Sequence, residues 1–171
     1  MQRRLFALDH NFPEPVLLGL GNALPMAELV PIRTIGPELS ELKDWELLLA
    51  LHRDQRRWNG IVTNDAGMLS LPREMTVLPQ TGLTFVVVKG EGDIPVRAIG
   101  ALRCHPPFIC RHTVRDRAQI WRLGVTQKNY EDVSDYLGRI AEKHGTTALA
   151  LFEQHKLSKA ELAIPSARRD K

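Results

Sequence analysis

Cysteine is scarce in this chain, with two among 171 residues. That is too few for a disulfide framework and fits a reducing compartment. Long apolar runs are missing as well. None approaches the roughly 20 residues a membrane helix requires, so no membrane association is expected. The basic start is followed by only Leu5-Phe6-Ala7-Leu8 before Asp9, short of the about 7–15 apolar residues of a secretory signal. The expected location is therefore cytoplasmic. Charge of one sign is not in excess: 23 Lys and Arg against 20 Asp and Glu leave +3, which permits a nucleic-acid partner without demanding one. Aromatics make up only 6%, and Trp45, Trp58 and Trp121 are too scattered to form a base-stacking platform.

Several chemical signatures are also missing. Gly19-Leu20-Gly21 and Gly90-Glu91-Gly92 complete neither a dinucleotide fingerprint nor a P-loop. Cys104, His105, Cys110 and His112 crowd into nine residues without the paired spacing of a zinc site. An apolar fraction of 43% with 25% charged residues excludes the disordered and collagen-like classes.

What remains is an alternation of short apolar runs with amphipathic stretches. Strands are expected at Leu5–Leu8, Glu28–Ile32, Ile61–Thr63, Leu83–Val88 and Ala118–Val125. Helices are expected over Pro13–Leu24, Leu42–Trp58, Asp93 to about His112 with a kink at Pro106-Pro107, Tyr130–His144 and Thr147–Leu157, with a loop over Arg33–Leu39. This order predicts an α/β fold, a mostly parallel central sheet flanked by helices in three layers. The division expected is a domain over residues 1–125 and a C-terminal helical extension over 126–171 packed on it.

In open parallel sheets, ligands bind beyond the carboxyl ends of the strands. Asp9 follows the first predicted strand and Asp65 the third, so both reach one rim. Asp44 opens the helix between them, in line with Leu47, Leu48 and Leu51, so it continues the buried stripe toward the sheet. Carboxylates gathered on one rim repel unless a cation neutralises them. Hard oxygen donors select Mg²⁺ or Mn²⁺ rather than zinc. Each acid has a plainer reading beside this one: a turn before Pro13 for Asp9, a helix start for Asp44, a cap on the following turn for Asp65 helped by Gly67.

The stretch Leu5-Phe6-Ala7-Leu8-Asp9-His10-Asn11-Phe12-Pro13 resembles the opening of the PIN-like proteins, apolar residues followed by D-x-N-x-P. Asp44-Trp45-Glu46-Leu47-Leu48 is similar to their second acidic motif. Gly60-Ile61-Val62-Thr63-Asn64-Asp65 is similar to their third, a strand ending in T-x-D. The resemblance covers about residues 4 to 100 and implies a PIN-like fold. It further implies a metal-dependent endoribonuclease of a kind often found as the toxin of a bacterial toxin–antitoxin pair. RNA would be the substrate, an antitoxin protein and a second copy of the chain the partners, and Mg²⁺ or Mn²⁺ the cofactor. Asp9, Asp44 and Asp65 would bind the metal and carry catalysis. Asn11 would support Asp9 or the attacking water, and Thr63 would orient the Asp65 region. Activated water would cleave the phosphodiester, releasing a 3′-hydroxyl without a covalent intermediate. Many members carry a fourth acid soon after the third. Ala66-Gly67-Met68-Leu69 stand there instead, so one metal or weak turnover is expected.

Arg97, Arg111 and Arg115 are the candidate RNA contacts, with Lys89 and Lys128 near them in sequence. A haloacid-dehalogenase-like phosphatase needs an acid where Asn11 stands. A receiver-like signalling module needs an acidic pair that Asp9-His10 does not supply. The alternative that keeps the scaffold is a PIN-like protein with little or no catalysis, acting by binding or regulation.

Overall fold

The computed structural model describes residues 3–20, 24, 26–88, 94–114, 116–124 and 128–163. Arg115, Lys89, the Gly90/Gly92 pair and the tail from Ser166 lie outside them, so the readings placed on those residues have no structural counterpart here. The strands are β1 (Arg4–Leu8), β2 (Ala27–Pro31), β3 (Gly60–Thr63), β4 (Thr84–Val88), β5 (Gln119–Leu123) and β6 (Lys128–Glu131). The helices are α1 (Glu14–Leu20), α2 (Ile32–Ile35), α3 (Asp44–Arg53), α4 (Pro72–Thr81), α5 (Pro95–Cys104), α6 (Pro106–His112), α7 (Val133–Lys143), α8 (Ala148–His155) and α9 (Lys159–Ala163). Short 3-10 turns occupy Pro37–Glu41 and Gly67–Ser70.

The six strands form one sheet in the order β2-β1-β3-β4-β5-β6. β1 to β5 run parallel and β6 runs antiparallel to β5. The architecture is therefore α/β with a mostly parallel central sheet. Side chains alternate along each strand. Ala7, Ile61, Phe85, Val87 and Ile120 enter one core with α3, α4, α7 and α8. Phe6, Leu8, Val62, Val86, Val88, Trp121 and Leu123 enter the other with α1, α5 and α6. Burial on both faces is why these strands read as continuous apolar runs. β3 begins on Gly60 because a Cβ there would stand 1.8 Å from the Thr84 carbonyl oxygen.

Three local expectations are corrected. The helix expected over Leu42–Trp58 ends at Arg53. Asp54 takes the Arg56 backbone N–H at 2.8 Å and its guanidinium at 2.8 and 3.0 Å, which turns the chain, and Arg57 then adopts φ 55°. Arg56 and Arg57 thus do not decorate the last helical turn. The Arg33–Leu39 loop holds α2 and the first 3-10 turn instead. Tyr130 and Glu131 lie in β6, not in a helix. The Lys-Asn-Tyr-Glu sequence is polar because it forms the sheet edge, exposed along most of its length.

The segment expected as a helical extension over 126–171 therefore opens with a sheet strand. Its helices share a core with the preceding residues: Val133, Leu137, Ile140, Leu151 and Leu157 join the cluster beneath α3 and α4. Gln80 of α4 locks this packing, donating to the Leu157 carbonyl at 2.9 Å and accepting its N–H at 2.8 Å. Among the described residues no helix is long and apolar enough to cross a membrane.

Candidate active site

The strand order reverses direction between β1 and β3. One crossover from β1 leads outward to β2, and the rest of the chain proceeds the other way from β3. In doubly wound sheets of this order the ligand crevice lies at that switch point, beyond the carboxyl ends of the strands. Asp9 is the first residue after β1, and Asp65 lies two residues after β3.

The two strand ends are joined by one hydroxyl. Thr63, the fully buried last residue of β3, donates its Oγ1 hydrogen to Asp9 Oδ2 at 2.6 Å and accepts the Asp65 backbone N–H at 2.9 Å. Asp9 is itself only 3% exposed, a burial that a carboxylate tolerates only when hydrogen-bonded. Asn11 Nδ2 adds a second donor to Oδ2 at 3.1 Å, and His10 Nδ1 stands 2.9 Å from Oδ1. The His10 ring folds back onto Asp9 because the strand has ended and the chain turns. The Asn11 amide thus holds Asp9, while the Asn11 carbonyl accepts from Asn64 Nδ2 at 3.0 Å.

Asp44 is the first residue of α3 and half-buried. Its carboxyl is held above the ordinary carboxylate value, first by burial and then by the negative charges of Glu74, Asp65 and Asp9, with His10 in partial opposition. Asp44 therefore feels both strand-end acids, and α3 delivers it to their rim. Glu46 is otherwise engaged: it accepts the Lys43 N–H at 3.0 Å and closes the start of the helix.

Glu74 is the acid that sequence reasoning missed. It lies in the first turn of α4, is 7% exposed, and is pushed up chiefly by burial, with the Trp45 backbone and Arg73 acting against that shift. It is the strongest of the charges acting on Asp44. The acid with the largest charge effect on Asp44 therefore comes from a neighbouring helix rather than from the residues just after Asp65. Pro72 at the helix start with an acid two positions on was the available signal, but it marks a helix N-terminus, not a partner 30 residues away.

Asp65 is exposed and has a second duty. Its Oδ1 accepts the Gly67 N–H at 2.6 Å, holding the 3-10 turn that follows β3. Asp65→Asn keeps that acceptor and Asp65→Ala removes it. Thermal melts are expected to find Asp65→Asn equal to wild type and Asp65→Ala about 1 kcal/mol less stable.

Of the candidate RNA contacts, Arg97 lies exposed in the first turn of α5 and Arg111 exposed in the last turn of α6. Arg111 comes two residues before Thr113, whose carbonyl accepts from Arg4 at the amino end of β1. It therefore stands toward the rim opposite Asp9. Cys104 is exposed and Cys110 buried, both free thiols.

The donor set on the rim is all carboxylate oxygen, the chemistry that suits a hard divalent cation such as Mg²⁺ or Mn²⁺. Among the described residues, no three His, Cys, Asp or Glu side chains form a group that could hold a metal ion. The acids share an electrostatic neighbourhood without forming a finished cage, and Asp9 already has three nearby partners. Comparison with protein-family models, with curated proteins and with solved structures found no match to this chain.

Proposed function

We propose that this chain is a PIN-like endoribonuclease that uses a divalent metal to hydrolyse RNA phosphodiesters. The observation that carries this reading is the Thr63 hydroxyl, which ties the Asp9 carboxylate to the Asp65 backbone at the switch point of the sheet. The rise of the Asp44 carboxyl, caused first by burial and then by the charges of Glu74, Asp65 and Asp9, adds to it. Repulsion of this kind is relieved when a cation is bound. Asp9, Asp44 and Asp65, with Glu74 behind Asp44, would hold Mg²⁺ or Mn²⁺. When bound, such an ion supplies Lewis acidity toward a phosphoryl oxygen and a lowered pKa for water.

The protein's own side chains have separate tasks. Thr63, Asn11 and His10 fix the Asp9 carboxylate, which limits its rotation. Burial favours the proton on Glu74, which makes it the rim acid best suited to hold one between steps. The same reading implies an antitoxin-like protein and a second copy of this chain as partners, which copurification and sizing of the purified chain would report.

A second reading rests on a different observation. The Asp9 oxygens are already engaged by three neighbours, an arrangement that also suits a structural polar knot in a non-catalytic PIN-like scaffold. One experiment separates the two. The chain is incubated with a mixed RNA pool with and without Mg²⁺ or Mn²⁺, beside Asp9→Asn and Asp65→Asn. Metal-dependent cleavage lost in both variants supports the nuclease; identical behaviour of all three proteins leaves the scaffold.

A further inference from the structure

At the amino ends of β3, β4 and β5, across the sheet from the acidic rim, lies a cleft of about 330 Å³, within the range of small-molecule sites. His52, Arg57, Asn59, Gly82 and Asp116 are among the residues that line it. Four described residues have positive φ, and three of them are here: Arg57 at 55°, Asp116 at 60° and Gly82 at 67°. For arginine this conformation is uncommon, and strained backbone gathers where function demands a fixed geometry.

The polar groups of the cleft form a complementary set. Asn59 is only 8% exposed. Its Oδ1 accepts the Leu5 N–H at 2.9 Å, which fixes the amide and leaves Nδ2 as its donor to a ligand. Arg57 and Asp116 are both exposed, so their charges are open to a ligand that enters from solvent. His52 Nδ1 lies 3.0 Å from the Thr81 carbonyl oxygen. A carbonyl only accepts, so Nδ1 carries the proton and Nε2 is left for a ligand. The lining therefore offers donors and a fixed positive charge together with a carboxylate.

We propose that this cleft binds a small metabolite carrying an oxyanion, a phosphate ester or a carboxylate, together with a hydroxyl or amino group. Arg57 and Asn59 take the oxyanion, and Asp116 accepts from the hydroxyl or ammonium. The site is separate from the acidic rim and does not depend on nuclease activity.

Isothermal titration of the full chain with ribose 5-phosphate and with serine tests it. Binding of the first alone assigns the phosphate class, and binding of the second alone the carboxylate class. Arg57→Asn removes the guanidinium, and asparagine tolerates positive φ, so the fold is kept. It is expected to weaken binding at least about ten-fold, the loss of one charge-assisted contact. Asn59→Asp keeps the acceptor for Leu5 and replaces the donor with negative charge, and is expected to abolish binding. If Asn59→Asp does not fold, Arg57→Asn decides alone. Asp9→Asn is expected to bind as wild type. The proposal is overturned if neither compound binds at millimolar concentration, if binding is unchanged in Arg57→Asn, or if Asp9→Asn loses it.

Discussion

Asp9→Asn is expected to lower the metal-dependent cleavage rate at least about 100-fold, beyond what disturbing an outer partner of a metal site costs, while the protein still folds. The second half of that expectation follows from the contacts. An asparagine Oδ1 in the place of Asp9 Oδ2 still accepts from Thr63 and Asn11. Its Nδ2 then faces His10, whose Nδ1 can accept once the ring proton sits on Nε2. All three partners are kept and one buried charge is removed. Loss of activity with an unchanged melt therefore reports charge, not collapse. Thr63→Val is the complementary case. It is close in shape but strips Asp9 of its shortest donor and Asp65 of its backbone acceptor. A hydrogen bond to a charged group contributes about 1.5–3 kcal/mol, and for a domain of this size each kcal/mol shifts the melting temperature by about 2–4 °C. The rate is expected to fall about 10–100-fold, and Thr63→Ser, which restores the hydroxyl, should return most of it. A Thr63→Val protein that melts earlier but cleaves normally would leave the hydroxyl as a structural clasp only.

The two strand-end acids were legible because a buried strand leaves a simple mark, an apolar run that stops, and the residue after the stop is placed on the rim by topology alone. Thr63 was legible for the same reason. Asp44 could be read from the leucine stripe of α3, since a helical period places it above Leu47, Leu48 and Leu51. Glu74 could not. Its relation to Asp44 arises only when α4 packs beside α3, and a local pattern carries no information about that pairing. β6 was missed because an edge strand is exposed on several sides and loses the apolar signal that marks the others. The amino-end cleft was invisible for another reason. Positive φ at Arg57 and Asp116 is imposed by the surrounding chain, and neither residue type announces it. Sequence thus shows what each strand and helix contributes on its own, and conceals what two elements make together.

Glu74 also gives the acidic rim an energetic signature. Its carboxyl is raised by burial, so the folded chain binds that proton more tightly than the unfolded chain does. Between the ordinary carboxyl value of about 4.3 and the higher folded value, the native state carries more protons, and stability falls as pH rises through this window. Above it, the ionised buried group remains a standing cost. Glu74→Gln removes that cost, as does Asp44→Asn, whose carboxyl is raised in the same direction. At pH 7.5 each is expected to stabilise the metal-free protein by about 0.5–2 kcal/mol, the usual gain from relieving a functional compromise. Near pH 4 the gain should vanish, because the wild-type groups are then protonated too. A bound cation should act the other way. It stabilises only a chain that holds it, by about 2.7 kcal/mol at a concentration 100 times Kd. Mn²⁺ should therefore raise the melting temperature of wild type markedly and that of Asp44→Asn little. If the acid variants gain nothing at pH 7.5 and Mn²⁺ leaves every melt unchanged, the rim carries no frustrated charge, and the cation-dependent chemistry built on it fails with it. If the variants are stabilised and lose cleavage together, the buried carboxyls of Asp44 and Glu74 are the feature that function maintains against stability.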